Sequence, residues 1–437
     1  MNTIAYPDQY EVQPLAHPIS GTFRVPGSKS LTNRALVLAA LAEGTSTLTG
    51  ALASDDTAVM IDSLRRLGFA VEANEQAETI TVEGRGGEIP ANSAELFVGN
   101  SGTSIRFLTA LVALGRGRFV LDGVPRMRER PQGDLLDALN DLRVAAYAQF
   151  GNGRPPLIVE GLGEIPGGTA HLNASASSQF LSALLMVAPY AQKDVTLEVR
   201  GTLRPLYVDI TRRMMAQWGV QARTGNNTKF WVEAGRKYLP QTPYPIEPDA
   251  SSASYLFAAT AISRGTITVP RLSADALQGD VRFVTEVLAE MGCTVESDEN
   301  SITLTAPADG KLRGVERDMS AISDTSLTLA AIAPFASTPT TVHNIAHSRL
   351  QECDRISAVC TELKRLGVEV EERPDGFTVY PCADIGPATI QTYHDHRIAM
   401  SFALIGLRVA GVVIDNPSCV AKTFPNYWQV LESLARG

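Results

Sequence analysis

The stretch PGSKSLTNRALVLAALAEGTSTLTGALASDDTAVMIDSLRRLGFAVE, residues 26–72, contains each element of a unit that recurs along the chain. It opens with the polar residues Ser28, Lys29 and Ser30, which are typical of a helix start. Residues 35–41 are apolar on every side. This pattern predicts a helix that is capped at its first turn and buried all round.

The second half of the stretch predicts a strand, a second helix and another strand. Gly44 is expected to end the first helix, and residues 45–48 alternate as a strand does. Residues 55–67 have helical spacing, and Gly68 follows them in the position of a helix cap. Residues 69–72 are predicted to form the closing strand.

Polar clusters of this kind occur six times along the chain, at intervals of 71 to 76 residues. The period is longer than the roughly 20 to 50 residues of solenoid repeats, so each copy is expected to be a small α/β subdomain. The closing phrase around Gly68 returns in three other copies and is reduced to Leu142-Arg143-Val144 in the second. The clusters are marked by Ser30, Ser101, Ser177, Ser252, Thr325 and His396.

Three copies are expected to form one domain, so the chain is predicted to have two. Three prolines within residues 243–248 favour an extended linker there. A second crossing is expected near residues 25–27, because residues 12–24 look like a strand that completes the other domain. The predicted domains are residues 28–247 and residues 1–27 with 248–437. Two crossings form a hinge, and the active site is expected in a cleft that closes on its ligand.

Composition excludes several classes of protein. A net charge of −9 and a pI near 5.3 argue against a general binder of nucleic acid or of anionic membranes. No apolar run approaches the ~20 residues that cross a bilayer. The five cysteines show no C-x-x-C spacing and are interpreted as free thiols. With neither a signal nor a transit peptide pattern, a cytoplasmic protein is expected.

The clusters point to anion binding, because a helix start presents free N–H groups and a partial positive charge. Asp324 and Glu352 are candidates for acid–base chemistry, although Asp324 could equally cap a helix, and His396 could equally be a core histidine. Residues 27–30 lack the upstream glycine of a P-loop, and no helical pattern follows the glycines of residues 84–87. Neither a nucleotide cofactor nor a metal is expected.

Several phrases together resemble the 5-enolpyruvylshikimate-3-phosphate synthase (EPSP synthase) family, over essentially the whole chain. The resemblance implies a two-domain inside-out α/β barrel built from six βαβαββ repeats. It implies transfer of the enolpyruvyl group of phosphoenolpyruvate to the 5-hydroxyl of shikimate 3-phosphate, on the pathway to chorismate and the aromatic amino acids. The phrases are PGSKSLTNR (26–34), GNSGTSIR (99–106), PRMRERP (125–131), DASSASY (249–255), DHRIAM (395–400) and AKTFP (421–425).

The resemblance also implies site residues, a monomer and no cofactor. Lys29, Asp324, Glu352 and His396 are implied as catalytic, with Asp324 as base on the hydroxyl and Glu352 as proton donor to C3. The implied phosphoenolpyruvate set is Lys29, Asn100, Gly102, Arg126, Gln179, Arg355, Arg397 and Lys422, in which the two arginines Arg355 and Arg397 clamp the carboxylate. The implied shikimate 3-phosphate set is Lys29, Ser30, Arg34, Ser177, Ser178, Gln179, Tyr207, Asp324, His347 and Gln351.

Three positions on the acceptor side depart from the family pattern. Gln351 replaces a lysine, His347 stands where asparagine is common, and Arg204 lies where a phosphate-binding serine is expected. Two alternatives therefore stay open: an enolpyruvyl transferase with another phosphorylated acceptor, and an anion-binding protein without turnover. The family is the target of glyphosate, for which Gly102 and Phe107 give opposing indications.

Overall fold

A computed structural model of the protein describes residues 6–436. The chain forms two compact units. One is the uninterrupted segment Gly27–Ile246, which we call the continuous unit. The other, the two-segment unit, combines the described residues up to Pro26 with those from Glu247 onward.

Both units alternate helices and short strands. The helices are α1 Lys29–Leu41, α2 Asp55–Arg66, α3 Gly102–Leu111, α4 Gly133–Asp141, α5 Gln179–Val187, α6 Pro205–Gln217, α7 Ala250–Ser263, α8 Ser326–Ile332, α9 Arg355–Arg365, α10 His396–Gly406 and α11 Tyr427–Arg436. The strands are β1 Gln9–Glu11, β2 Ser20–Thr22, β3 Glu43–Thr49, β4 Val71–Asn74, β5 Thr79–Arg85, β6 Ser93–Phe97, β7 Arg116–Asp122, β8 Ala145–Ala148, β9 Leu157–Leu162, β10 Gly168–Asn173, β11 Val195–Arg200, β12 Ala222–Gly225, β13 Lys229–Val232, β14 Tyr244–Pro245, β15 Thr266–Pro270, β16 Thr294–Ser297, β17 Ser301–Thr305, β18 Glu316–Asp318, β19 Thr340–His343, β20 Val370–Arg373, β21 Gly376–Val379, β22 Ala388–Ile390 and β23 Val412–Asp415. A π-helix, Phe283–Leu288, takes the place of the second helix in the fourth copy.

The continuous unit has three four-stranded sheets with one common topology. Their strand orders are β14-β3-β5-β4, β6-β7-β9-β8 and β10-β11-β13-β12. In each sheet the first two strands run parallel and the others antiparallel. Two of these sheets follow the order βαβαββ along the chain, while the first sheet obtains its parallel strand from β14, far downstream.

The two-segment unit has similar sheets, and two of them combine strands from both of its segments. Its sheets are β2-β15-β17-β16, β18-β19-β21-β20 and the three-stranded β1-β23-β22. Strand β2 runs parallel to β15, and β1 runs antiparallel to β23. Residues before Pro26 therefore complete two sheets whose other strands lie beyond Glu247.

The helices that begin at the polar clusters lie inside each unit, with the sheets around them. In the continuous unit α1, α3 and α5 pack against one another, and in the two-segment unit α7, α8 and α10 do so. All side chains from Leu31 to Leu41 in α1 are buried, and α3, α8 and α10 are buried along their whole length. Each buried leucine contributes about 1.5–3 kcal/mol through the hydrophobic effect. The inside-out α/β barrel predicted from the sequence is confirmed.

The closing phrase, present in five of the six copies, is a helix cap with a left-handed residue. Gly68 has φ +90°, and the N–H of Phe69 donates to the carbonyl of Leu64 at 3.0 Å. The same bond closes α4, from Val144 to Leu139, although the left-handed residue there is Arg143, with φ +67°. Glycine tolerates this backbone conformation and arginine does not, so the second copy keeps the cap at an energetic cost.

Several local predictions need correction. Gly44 does not end the first helix, because α1 stops at Leu41 and Gly44 lies inside β3. Residues 12–24 are not one strand, since only Ser20–Thr22 pairs there. The proline-rich segment is not a free linker, because Tyr244–Pro245 is paired with β3.

The longest helix among residues 6–436 is α7, with 14 residues. Within these residues, none of the helices combines the length and the apolar composition that a membrane crossing requires.

Candidate active site

The predicted residues of the two-segment unit meet in one ion-pair network at the start of α8, α9 and α10. Asp324 bridges two guanidinium groups, with Oδ1 3.0 Å from Arg355 Nη1 and Oδ2 2.8 Å from Arg397 Nη2. Arg355 also binds Asp395 through Nε, at 2.8 Å, and Nη2, at 3.2 Å. Asp395 in turn caps α10 by accepting from the N–H of Arg397 at 2.9 Å.

Asp324 does not cap a helix. It lies in a 3-10 turn, Ser323–Thr325, and α8 has no side-chain cap. Its carboxylate is therefore available to the two arginines, and the capping alternative for Asp324 is wrong. The cap positions of α1, α3, α7 and α10 do accept a hydrogen bond, through Ser28, Ser101, Asp249 and Asp395.

Glu352 lies beside this network and holds a cation and a histidine. Its Oε1 lies 2.8 Å from Lys422 Nζ, and its Oε2 lies 2.9 Å from Nδ1 of His396. Both Glu352 and His396 are almost entirely buried. The second ring nitrogen of His396, Nε2, is buried without a hydrogen-bond partner among the described residues. His396 is thus a core histidine by burial and a member of the network by contact.

Charge compensation sets the protonation of these groups. Burial opposes ionisation of Glu352, but the charges of His396, Lys422 and Arg355 outweigh it and hold the pKa of this carboxyl well below its usual range. Burial lowers the pKa of His396 despite the nearby Glu352. Burial also lowers the pKa of Arg397, but the carboxylate of Asp324 and other neighbours reverse the effect and raise it. Near neutral pH, Glu352 is ionised.

Gln351 and His347 join the same region through different contacts. The side-chain oxygen of Gln351 accepts from Arg355 Nη1 in a short hydrogen bond. His347 Nε2 lies 2.8 Å from Ser323 Oγ, next to Asp324 in sequence.

Sequence reasoning missed two buried residues beside Arg397. Tyr255 Oη accepts from Arg397 Nη1 at 3.4 Å, and burial raises the pKa of this phenol to about 12. Burial and the Asp324 carboxylate raise the pKa of Asp280 to about 7. Asp280 accepts from Ser251 Oγ at 3.1 Å, in the first turn of α7. Tyr255 ends the phrase at residues 249–255 without a role being inferred for it, and Asp280 lies in none of the phrases.

Three of these side chains have the spacing of a metal site. Ligand atoms of Glu352, Asp395 and His396 lie within 4.8 Å of one another. Lys422 and Arg355 already pair with the two carboxylates at 2.8 Å, however, and a divalent cation would be repelled by both. We assign no metal here.

In the continuous unit, two residues predicted to bind shikimate 3-phosphate, Lys29 and Arg34, lie in the first two turns of α1. Lys29 Nζ lies 3.2 Å from Asp56 Oδ2. Arg34 is fully buried and donates to Thr211 Oγ1 at 2.7 Å, and to the backbone oxygens of Ser30 and Tyr207 at 3.0 and 3.3 Å. Burial lowers the pKa of Arg34 to about 10. Its guanidinium also lies over the ring of Phe107, 5.2 Å from the centroid.

At the starts of α3 and α5, the predicted Gln179 contacts two residues of α3, Arg106 and Thr103. Arg106 Nη1 donates to Gln179 Oε1 at 2.7 Å, and Gln179 Nε2 donates to Thr103 Oγ1 at 3.3 Å. Arg106 is buried, and its Nε has no hydrogen-bond partner among the described residues. Burial, and then the charge of Arg130, lower the pKa of Arg106 well below its usual value.

The two outer arginines of the phrase at residues 125–131, Arg126 and Arg130, differ in burial and in contacts. Arg126 is 35% exposed and pairs with Glu129 at 2.6 Å. Arg130 is buried and donates from Nη1 to the backbone and side-chain oxygens of Asn100, at 3.3 and 3.5 Å. A Cβ on Gly102 would lie 2.3 Å from Arg130 Nη2, so the absence of a side chain at Gly102 lets this guanidinium reach α3. Sequence reasoning missed Arg130, although it belongs to the same phrase.

Ser177, Ser178 and Arg204 lie just before the starts of α5 and α6. Ser177 Oγ accepts from the N–H of Gln179 at 3.2 Å, and Ser178 precedes α5 without a side-chain cap. Arg204 precedes α6, is buried, and donates from Nη2 to the carbonyl of Ser175 at 3.1 Å. Burial lowers the pKa of Arg204, although Tyr207 partly offsets the effect.

Comparisons with known proteins agree on one family. The family model for EPSP synthase (3-phosphoshikimate 1-carboxyvinyltransferase) matches residues 15–431. A 3-phosphoshikimate 1-carboxyvinyltransferase of Nostoc punctiforme is 49% identical, over 96% of this chain and 98% of its own. A chloroplastic enzyme of that name from Brassica napus is 45% identical, over 97% of this chain and 85% of its own.

Solved structures give the same fold. An EPSP synthase of Acinetobacter baumannii superposes with a TM-score of 0.82 at 26% identity, and 98% of each chain is covered. The enolpyruvyl transferase NikO of Streptomyces tendae shares the fold, with a TM-score of 0.75 at 19% identity over 97% of this chain and 96% of its own. The family model and the relatives define an enolpyruvyl transferase. The chain belongs to the EPSP synthase family, and it is an enzyme, a transferase of the shikimate pathway to the aromatic amino acids.

Proposed function

We propose that the chain transfers the enolpyruvyl group of phosphoenolpyruvate to the 5-hydroxyl of shikimate 3-phosphate, with release of phosphate, and that residues of both units take part. The observation that carries this proposal is the network of Asp324, Glu352, Arg355, Arg397 and Lys422. It combines two carboxylates able to exchange protons with three cations able to bind anions. The 49% identity to a 3-phosphoshikimate 1-carboxyvinyltransferase supports the same acceptor over another phosphorylated compound.

In the addition step, the 5-oxygen bonds to C2 of phosphoenolpyruvate while the double-bond electron pair takes a proton at C3. We assign Asp324 as the base that accepts the hydroxyl proton, and Arg355 with Arg397 as the pair that binds the substrate carboxylate. In the elimination step, C3 loses a proton, the C2–O bond to phosphate breaks and the double bond forms again. The acceptor proton leaves on phosphate, so the reaction balances.

Glu352 needs a proton before it can act as the donor to C3, because its pKa lies well below the usual range. The Lys422 ammonium, 2.8 Å from Glu352 Oε1, is positioned to supply that proton. We therefore propose that Lys422 and Glu352 act together as the proton donor, with His396 holding the second carboxylate oxygen at 2.9 Å.

The continuous unit supplies the phosphate-binding side of the reaction. For phosphoenolpyruvate we propose Lys29, Asn100, Gly102 and Gln179, with Arg130 at Gly102 in addition to the predicted Arg126. For shikimate 3-phosphate we propose Lys29, Ser30, Arg34, Ser177, Ser178, Gln179 and Tyr207, together with His347 and Gln351 of the two-segment unit. Buried guanidinium groups with lowered pKa values support this, since a bound phosphate would restore their charge balance.

A phosphate-release assay tests the reaction itself. Wild type is expected to release phosphate from phosphoenolpyruvate only when shikimate 3-phosphate is present, and not with shikimate or with other phosphorylated acceptors. Phosphate release with a different acceptor, and none with shikimate 3-phosphate, would show that the other compound is the substrate. Binding of both substrates by calorimetry without any release would leave a protein that binds anions and has no turnover.

The assignment of arginines in residues 125–131 is tested by two matched variants. Arg130→Gln is expected to raise the KM for phosphoenolpyruvate by about 10- to 100-fold, the worth of a hydrogen bond to a charged group. Arg126→Gln, at the surface, is expected to change it less than about threefold. A larger rise in the KM for Arg126→Gln than for Arg130→Gln would show that Arg126 is the more important arginine for binding phosphoenolpyruvate.

Acceptor recognition is tested at Gln351 and Arg204. Gln351 and Arg204 stand where the family has a lysine and a serine on the acceptor side. Gln351→Lys and Arg204→Ser are therefore expected to change the KM for shikimate 3-phosphate and not the KM for phosphoenolpyruvate. A change confined to phosphoenolpyruvate would remove both from the acceptor side.

We also propose a monomeric, cytoplasmic enzyme that needs no cofactor and binds no nucleic acid. The net charge of −9 supports the last point. Light scattering of the purified protein, with and without substrates, tests the monomer.

A further inference from the structure

The carboxylate of Asp324 binds Arg355 and Arg397 in the way a substrate carboxylate would. Each oxygen faces one guanidinium, at 3.0 Å from Arg355 Nη1 and 2.8 Å from Arg397 Nη2. Phosphoenolpyruvate presents a carboxylate of the same charge and shape. One bridging position between two arginines cannot hold both groups.

Of the carboxylates near Arg355, those of Asp395 and Asp324 differ in their contacts and burial. Asp395 is fully buried, contacts two nitrogens of Arg355 and caps α10. Asp324 is 23% exposed and contacts Arg355 through one nitrogen. Asp395 is thus held by the helix start as well as by Arg355, whereas Asp324 caps no helix, is partly exposed and lies in a turn closed by the bond from Thr325 to Ile322.

Asp324 cannot leave without a replacement. Arg355 is 3% exposed and Arg397 is 9% exposed, and a buried guanidinium that loses its carboxylate incurs a large desolvation penalty. An incoming carboxylate removes that penalty, because it preserves the charge between the two arginines. Binding of one and departure of the other are therefore coupled.

We propose that Asp324 is an internal competitor for the carboxylate of phosphoenolpyruvate, and that binding of this substrate releases Asp324 to act as base. The proposal rests on the function proposed above. It assigns Asp324 a second role, as a gate: the base reaches the acceptor hydroxyl only after the donor substrate has taken its place on the arginines. The acceptor proton would then be withdrawn only when C2 is present to receive the oxygen.

Calorimetry with phosphoenolpyruvate alone tests the exchange. Asp324→Asn removes the competing charge and keeps the shape, so the dissociation constant is expected to fall about tenfold, since the binding position is no longer mostly occupied. Asp309→Asn, at an exposed carboxylate of the same unit, is expected to leave it unchanged. Equal or weaker binding by Asp324→Asn, with native circular dichroism, would overturn the proposal.

A second measurement covers a variant that folds poorly. Formate is expected to raise the melting temperature of Asp324→Ala, because it replaces the missing carboxylate between the arginines, and to leave that of wild type unchanged. Equal stabilisation of both proteins contradicts the exchange. Failure of the proposed function would appear separately, as a wild type that releases no phosphate from the two substrates.

Discussion

In the two-segment unit, the buried arginines Arg355 and Arg397 lie 2.8 to 3.0 Å from carboxylate oxygens. In the continuous unit, three of the four buried arginines, Arg34, Arg106 and Arg204, donate to hydroxyl, amide and carbonyl oxygens. None of these three forms an ion pair with a carboxylate in the part of the chain that the structure describes. The pKa values move accordingly, raised for the first pair and lowered for the other three.

This difference in charge compensation suits the two units to different tasks, proton transfer and phosphate binding. A unit with compensated charge keeps carboxylates available for proton transfer. A unit with uncompensated buried cations gains stability when a phosphate binds, because the anion removes repulsion and supplies hydrogen-bond acceptors. Under the proposed function, the two-segment unit would supply the groups for proton transfer and the continuous unit most of the phosphate-binding groups.

The largest expected effect tests whether the carboxylates of the two-segment unit are essential to its stability. Asp395→Asn leaves the buried Arg355 undercompensated and is expected to lower the free energy of unfolding by about 3–5 kcal/mol. Arg106→Met in the continuous unit leaves no carboxylate without a partner, so the change is expected to stay within about 1 kcal/mol. Urea unfolding of both variants measures this. Equal losses would mean that the two units do not differ in charge compensation.

The second expected effect concerns binding by the continuous unit. Arg106→Met removes a buried cation and the group that orients Gln179, so the KM for phosphoenolpyruvate is expected to rise by about 10- to 100-fold. Steady-state phosphate release measures it. Arg118→Met, at an exposed arginine of the same unit, serves as the control and is expected to behave as wild type. A larger effect on kcat than on KM would assign Arg106 to the chemical step instead.

The third effect is a dependence of stability on pH from the two-segment unit. The folded-state pKa of Asp280, about 7, exceeds its ordinary value of 3.8, so the folded protein binds the extra proton between these values. Stability contributed by this group is present below pH 3.8 and is lost as pH rises to about 7. Asp280→Asn abolishes that loss, and its stability relative to wild type is expected to be about 2 kcal/mol higher at about pH 8 than at about pH 4.

Thermal unfolding across that window measures the effect. A parallel pH profile for wild type and Asp280→Asn would show that Asp280 is ionised throughout.

The smallest effect compares the copies of the helix cap. Gly68 occupies the left-handed cap position of its copy at φ +90°, whereas Arg143 occupies that position in the second copy at φ +67°. Arg143→Gly is expected to stabilise the continuous unit by about 0.5–1 kcal/mol, because glycine adopts this conformation without strain. Activity is expected to stay unchanged, since Arg143 is exposed and contacts no site residue described above. Gly68→Ala serves as the reverse substitution, and stabilisation by that change would contradict the reason given.

The sequence predicted the inner helices well because their signal is local. An apolar run behind a capping serine or aspartate is visible within one turn, as at Ser28 and Asp249. Strands β2 and β14, with three and two residues, carry no periodic pattern and are held by distant partners. The segment that contains β14 was therefore interpreted as a linker.

The residues that meet in the ion-pair network were predictable from the sequence, but their pairing was not. Asp324, Arg355 and Arg397 came from separate phrases, and no local rule shows that one carboxylate bridges two arginines 31 and 73 residues away. Arg126 and Arg130 flank a single 3-10 turn, Met127–Glu129, so the sequence alone could not show which of them reaches Gly102. Burial and long-range contact decided both points.

The exchange of strands between distant parts of the chain has a consequence for biosynthesis. All strands of the continuous unit lie within Gly27–Ile246, so this half can finish folding while later residues are still being translated. Residues 9–11 and 20–22, made first, find their partner strands only after β23 and β15 emerge from the ribosome. A circular permutant that joins the two ends and opens the chain near Pro26 would place both units in uninterrupted order, and we expect it to refold faster than the natural arrangement.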